Sequence, residues 1–255
     1  MGVKKLFDLS GRTALVTGGS RGLGLQIAEA LVEMGAKVAI TARKKDELDS
    51  ALSHLGTSGK AFVSDIGKRE GIPVLVDDVI RQCGRIDILV NNAGATWGSP
   101  AEDHPLDAWD KLVNVNLSGL FALSQRVAKQ CMIPAKWGRI VNVASIAGLL
   151  GQDPRFAPTA AYTATKHGVV GLTRQLAAEW GVHGITVNAI CPGFFPSKMT
   201  RATLATAGEL VKEWTPTRRL GNDEDLKGVA VLLASEASRH INGQAIAVDG
   251  GASII

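Results

Sequence analysis

The sequence predicts a doubly wound α/β fold, a parallel sheet of about seven strands with helices on both faces. Seven short apolar runs recur along the 255 residues, each of strand length and most followed by a segment of helical periodicity. Runs that are apolar at successive positions mark strands covered on both sides, the hallmark of a parallel sheet. No Pro/Ser linker, low-complexity tract or repeat interrupts the alternation, so residues 1–255 read as one domain.

The elements follow in order. TALVTG (13–18) is the first strand, and the helix behind it carries Leu23, Ile27, Leu31 and Met34 on one stripe. KVAITA (37–42) is next, followed by a polar helix from about 45 to 55. KAFVSD (60–65) and IDILVNNAG (86–94) are strands separated by a helix holding Val76, Val79 and Ile80. A long helix from about 107 to 132 precedes GRIVNVAS (138–145). A helix from about 159 to 181 has Val169, Thr173, Leu176 and Trp180 as its core stripe. GITVNAICPG (184–193) and QAIAVDGG (244–251) close the sheet. Between them lie a helix from about 222 to 235 and the segment 194–214. That segment contains Pro196 and Gly208 and lacks a strong core stripe, so it reads as a lid.

Composition narrows the function classes. The chain is 45% apolar and 20% charged, which suits a globular protein with a large core. Cys83, Cys131 and Cys191 are widely spaced, with no CxxC and no neighbouring His cluster. This argues against zinc or a disulfide framework and for a reducing, cytoplasmic setting. The start MGVKKLFDLSGR has no apolar stretch behind its lysines, so no signal peptide is expected, and no run of apolar residues is long enough to span a membrane. The net charge of +4 is scattered, with KK (4–5), RKK (43–45) and RR (218–219) as the only short clusters. No nucleic-acid footprint results.

In such sheets ligands lie beyond the carboxyl ends of the strands. TGGSRGLG (17–24) follows the first strand, and its Gly18, Gly22 and Gly24 punctuate a turn that opens a helix. That turn lets backbone N–H groups approach a pyrophosphate. The second strand ends Thr41-Ala42-Arg43 with no acid for a ribose hydroxyl. Arg21 and Arg43 instead suit a 2′-phosphate, which selects NADP(H). Tyr162 is the only tyrosine of the chain and Lys166 follows it by one helical turn, so phenol and ammonium share a face. Taken alone the pair fits an ordinary helix surface equally well.

These motifs, in this order and spacing, resemble the short-chain dehydrogenase/reductase family over essentially the whole chain. The matching stretches are TGGSRGLG, Asp65, NNAG (91–94), Asn116 in VNVNLSG, Ser145 in IVNVASIAG, Tyr162 with Lys166, PG (192–193) and VDGG (248–251). The resemblance implies a Rossmann-type domain with Asn116, Ser145, Tyr162 and Lys166 as catalytic residues. Tyr162 would be the acid/base of a hydride transfer, and Ser145 would meet the substrate oxygen. Lys166 would hold ribose and favour phenolate, and Asn116, rather than its neighbour Asn114, would organise a path to the lysine. The cofactor contacts it implies are Gly18, Ser20, Arg21, Gly22, Leu23, Gly24, Arg43, Asp65, Ile66, Asn92, Ala93, Gly94, Tyr162, Lys166, Pro192, Gly193, Phe194 and Ser197. Asn91 reads as structural, bridging strands. Ser145 and Tyr162 are farther apart than is common in the family, the extra length falling in GLLGQDPRFAPTA (148–160). Trp97, residues 148–160 and 194–214 are expected to wall the substrate pocket.

The expectation is an NADP(H)-dependent oxidoreductase interconverting a ketone and a secondary alcohol. NNAGATWG and PGFFPSKMTR are most similar to bacterial 3-oxoacyl reductases, while DLSGRTALVTGGSRGLGLQIAEAL and AYTATK resemble gluconate 5-dehydrogenases. A 3-oxoacyl compound is the expected substrate, with a gluconate 5-dehydrogenase-like sugar acid reductase and a non-catalytic NADP(H) sensor as the alternatives, although such sensors usually lose the tyrosine or lysine. Family resemblance further implies a homotetramer paired through the helices at 107–132 and 159–181, with a small carbonyl or alcohol as the substrate.

Overall fold

The computed structural model describes every residue except Pro154 and Ala157, two positions of the expected pocket wall that lie outside the described residues. Seven strands form one sheet: β1 (Thr13–Thr17), β2 (Lys37–Ala42), β3 (Gly59–Val63), β4 (Ile88–Asn91), β5 (Gly138–Val143), β6 (Ile185–Pro192) and β7 (Ala245–Val248). Their order is β3-β2-β1-β4-β5-β6-β7, and every pairing is parallel. The order reverses between β1 and β4, which opens a crevice at their carboxyl ends.

The unbroken apolar runs are explained by the two cores they feed. Ala14 and Val16 of β1, Val38 and Ile40 of β2, and Ile88 and Val90 of β4 face one cluster. The alternate residues Leu15, Ala39 and Leu89 face the other. On the first face pack α1 (Gly22–Glu33) through Ile27 and Leu31, α2 (Lys45–Leu55) through Leu48 and Leu55, and a later helix through Ala230 and Leu233. On the second face pack α3 (Ile72–Cys83), α4 (residues 106–135) and α5 (Ala160–Trp180), through Val76, Val79, Leu123, Val127 and Leu176. Of the stripe expected on α5, Val169, Thr173 and Leu176 are buried and Trp180 is partly so.

Helix α4 is continuous but not regular. It widens by one residue per turn at Asn114–Gly119 and again at Ala128–Met132. The first widening places Gly119 flush against the Ile66 carbonyl, where any Cβ would collide. Such insertions re-aim side chains and concentrate at functional sites. Asn91 joins β4 to its surroundings, donating to Asn142 Oδ1 on β5 and to Ser124 Oγ on α4, both at 2.9 Å. Asn142 in turn donates to Thr173 Oγ1 of α5 at 2.9 Å.

Two elements depart from the sequence reading. Residues 194–214 contain a 14-residue helix, α6 (Arg201–Trp214), with a non-helical residue at Ala207 just before Gly208. Its apolar side packs against Phe156 and Phe194 in a small satellite cluster rather than against the sheet. That placement is why it carries no sheet-facing stripe. The helix expected from about 222 begins instead as α7 (Lys227–Ala234). The side chain of Asn222 accepts from the N–H groups of Glu224 and Asp225, holding the preceding residues in a turn.

Candidate active site

A cleft of about 960 Å³ runs along the carboxyl ends of the strands. Its floor at one end is the glycine turn. Gly18 and Gly22 have φ of +63° and +52°, a region that penalises side chains. A Cβ on Gly24 would run into the Gly18 carbonyl and the Asn92 amide. The turn is fastened to the end of β4: Asn92 Nδ2 donates to the Thr17 and Gly18 carbonyls at 3.0 and 3.1 Å. Thr17 Oγ1 accepts from Asn92 and Ala93 N–H, each at 3.0 Å. Arg21, the residue preceding α1, makes no side-chain cap, so the first N–H groups of the helix face the cleft without an intrahelical partner. A backbone cradle that glycine alone can form, ending in open helix N–H groups, fits a dinucleotide pyrophosphate.

Farther along, Thr41, Arg43, Lys44, Asp65 and Ile66 line the cleft. As expected, β2 ends without an acid. One nevertheless arrives from α2: Glu47 Oε1 accepts from Arg21 at 2.5 Å and lies 3.5 Å from Lys44 Nζ. No local pattern announced it, because Glu47 is five residues past the end of β2 and looks like an ordinary first-turn carboxylate. Arg21 and Arg43 both line the cleft. Arg21 is engaged by Glu47, whereas Arg43 makes no ion pair among the described residues.

At the other end Ser145, Tyr162 and Lys166 meet. Ser145 stands two residues past the end of β5 and caps the turn Ile146–Gly148, its Oγ accepting from Ala147 N–H at 3.1 Å. Its side chain also neighbours the Tyr162 phenol and opposes the rise in that group's proton affinity. Gly148 lets this turn press on α5, since a Cβ there would lie 2.6 Å from the Lys166 carbonyl. Lys166 is buried and donates through Nζ to the Val143 carbonyl at 2.7 Å, with Nζ 5.5 Å from the centre of the Tyr162 ring. Asn116 lies in the first widened turn of α4. Its amide closes on Ala95, accepting from N–H at 2.8 Å and donating to C=O at 2.9 Å, and donates to Thr165 Oγ1 at 3.0 Å. Asn116 Oδ1 and Lys166 Nζ converge on Gly94. Asn114 points elsewhere, donating to the Gly67 carbonyl at 2.6 Å.

Burial sets the proton affinities. It pulls the Lys166 ammonium down to about 8. It pushes the Tyr162 phenol above its usual value, with the nearby Ser145 side chain opposing and the neighbouring Cys191 thiol adding to the rise. The sequence reading had the lysine favouring phenolate. In the structure its ammonium is turned to the Val143 carbonyl, and desolvation of the phenol dominates.

The other residues named from sequence fall as follows. Ser20, Leu23, Ala93, Gly94, Pro192, Gly193 and Ser197 line the cleft, together with Gly18, Gly22, Gly24 and Asn92. Phe194 does not. Its ring packs edge-on against Phe156 at 5.6 Å, and Phe195 lines the cleft instead. Asn116 stands behind Gly94 and Ala95 rather than on the surface of the cleft. Trp97 and the described part of 148–160 also stay off its walls. Phe156 of that loop is drawn to Phe194 and Trp214 on the α6 side. The segment 194–214 does line the cleft, as expected, and within it Lys198 and Arg201, not singled out from sequence, make no ion pair among the described residues.

The family profile described as short chain dehydrogenase matches residues 12–208. The gluconate 5-dehydrogenase of Gluconobacter oxydans is 41% identical over 256 aligned positions, spanning 98% of this chain and 97% of its own. A 3-oxoacyl-[acyl-carrier-protein] reductase of Staphylococcus epidermidis is 37% identical, spanning 94% and 98%. A gluconate 5-dehydrogenase from Burkholderia cenocepacia, solved in complex with NADP and tartrate, superposes with a TM-score of 0.93 at 35% identity, covering all of both chains. The glycine cradle, the Ser145–Tyr162–Lys166 grouping and this match across most of the chain lead to one conclusion: the chain belongs to the short-chain dehydrogenase family.

Proposed function

We propose that the protein is an NADP(H)-dependent oxidoreductase that interconverts a ketone and a secondary alcohol, with a polyhydroxy acid as the substrate class. The observation that carries the reaction is the meeting of Ser145, Tyr162 and Lys166 at the end of the cleft opposite the glycine cradle. NADP is the cofactor in the solved relative described above, and the residues here fit it. Gly18 to Gly24 would cradle the pyrophosphate, Arg21 and Arg43 would meet the 2′-phosphate, and Asp65, Ile66 and Asn92 to Gly94 would flank the adenosine.

When bound, the cofactor supplies or accepts the hydride, and its oxidised ring adds a positive charge near the phenol. The Ser145 hydroxyl accepts from Ala147 N–H, which leaves its own proton to donate to the substrate oxygen. Tyr162 delivers a proton to that oxygen in reduction and removes it in oxidation. Lys166 has three N–H donors and spends one on Val143, so two remain for the ribose hydroxyls. Asn116 fixes Ala95 and, through Thr165, the turn of α5 that lies between Tyr162 and Lys166. Its role is to hold the lysine's surroundings in place.

The substrate class rests on two supports. The relative with the highest identity quoted above is a gluconate 5-dehydrogenase, and Lys198 and Arg201, without an ion pair among the described residues, present cations to the cleft that suit a carboxylate. The second reading, a 3-oxoacyl substrate, is supported by the 37% identity to a 3-oxoacyl reductase over nearly the full length. Assembly belongs to the proposal as well. Leu106, Trp109 and Phe121 leave apolar surface exposed along α4, consistent with a homotetramer paired through α4 and α5.

Three outcomes are expected. Tyr162→Phe keeps the ring and removes the transferable proton, so turnover should fall by about 10²–10⁴-fold with cofactor affinity nearly unchanged. Lys166→Ala should weaken both, and the double variant should lose much less than the product of the two. Near-wild-type reduction by the phenylalanine variant would end the assignment. In an assay following NADPH consumption, 5-ketogluconate should be reduced faster than an acetoacetyl thioester, and the reverse order would replace the sugar-acid reading with the acyl one. Light scattering at micromolar protein should give the mass of four chains, and a monomeric mass would refute the assembly.

A further inference from the structure

The end of the cleft beside β2 contains a carboxylate where a phosphate is expected. Glu47 gathers three donors: Ser20 Oγ at 3.4 Å, Arg21 Nη1 at 2.5 Å and Lys44 Nζ at 3.5 Å. All four residues line the cleft, as does Arg43, which makes no ion pair among the described residues. The glycine turn brings Ser20 and Arg21 to this point, and the first turn of α2 brings Glu47. Together with Arg43, which directly follows β2, these donors are cleft-lining groups that could hold a 2′-phosphate.

We propose that Glu47 is a specificity-determining residue, an internal anion that competes with the cofactor's 2′-phosphate for Arg21, Lys44 and Ser20 and so restrains the preference for NADP(H) over NAD(H). The inference rests on the NADP(H) reading above. Two features make Glu47 a competitor rather than a fixed part of the scaffold. The pair with Arg21 is half open to solvent, with side-chain exposures of 50% for Arg21 and 23% for Glu47, so exchanging the carboxylate for a stronger anion costs little. The carboxylate nevertheless stays tethered to α2, close to the incoming dianion, and like charges at that range oppose each other. With Arg21, Arg43 and Lys44 against Glu47, the local charge is +2 (three cations less one anion), and removing the carboxylate raises it to +3. NAD(H), which lacks the 2′-phosphate, should feel this change far less.

The test is calorimetric binding of NADP⁺ and NAD⁺, with 2′,5′-ADP and 5′-AMP as fragments that report only on this end of the cleft. Glu47→Gln should tighten NADP⁺ and 2′,5′-ADP by about three- to tenfold, while NAD⁺ and 5′-AMP change by less than about twofold. Glu47→Asp, which keeps the charge, should retain a ratio near that of the wild type. In an Arg21→Ala background most of the gain from Glu47→Gln should disappear. An unchanged or weakened NADP⁺ affinity in Glu47→Gln, or equal shifts for both cofactors, would overturn the inference and leave the cofactor reading standing. A wild-type protein that binds 2′,5′-ADP no better than 5′-AMP would overturn both.

Discussion

The buried ammonium of Lys166 and its hydrogen bond to the Val143 carbonyl organise this end of the molecule. A charge taken out of water is tolerated only where it is well bonded, and this one binds the last residue of β5. The bond sets the height of α5 over the sheet edge, and with it the height of Tyr162 one turn earlier. Gly148 permits the approach, because the turn after β5 presses on the Lys166 carbonyl where no side chain would fit. Ser145, which caps that turn, is thereby carried to the phenol. The widened turn of α4 then directs Asn116 at Ala95 and Thr165, closing the group from behind. Each of these contacts is ordinary by itself. Together they place a hydroxyl, a phenol and an ammonium where one oxygen atom can meet the first two.

The electrostatics of the two cleft ends differ in kind. At the Tyr162 end burial dominates, lowering the lysine to about 8 and raising the phenol. The phenol therefore keeps its proton at neutral pH, as the proposed role of proton donor to a ketone requires. At the β2 end the charges are partly solvated, with Glu47 paired to Arg21 and Lys44, and the proposed cofactor selectivity rests on that balance.

Much of this was legible in the sequence because it depends on local pattern. Strands β1 and β2 are covered on both faces and so read as unbroken apolar runs, and the glycine turn and the Tyr162–Lys166 spacing are also contiguous features. What escaped depends on packing between distant segments. Helix α6 buries its apolar side on Phe156 and Phe194, not on the sheet, so no core stripe announced it. The same cluster removes Phe194 from the cleft in favour of Phe195. Glu47 meets Arg21 from 26 residues away, across helix α1 and strand β2. The rise in the Tyr162 proton affinity also lay beyond sequence, since spacing places the lysine near the ring but gives neither its direction nor the desolvation of the phenol.

A chain with a single tyrosine allows the central claim to be read directly. Titration of the phenolate absorbance reports on Tyr162 alone, with and without saturating NADP⁺. Without cofactor the transition should lie above the ordinary value of about 10, and with NADP⁺ bound it should move to clearly lower pH. A transition at the same pH in both states, or one already below the ordinary value in the free protein, would contradict a tyrosine held protonated by burial and released by the bound cofactor.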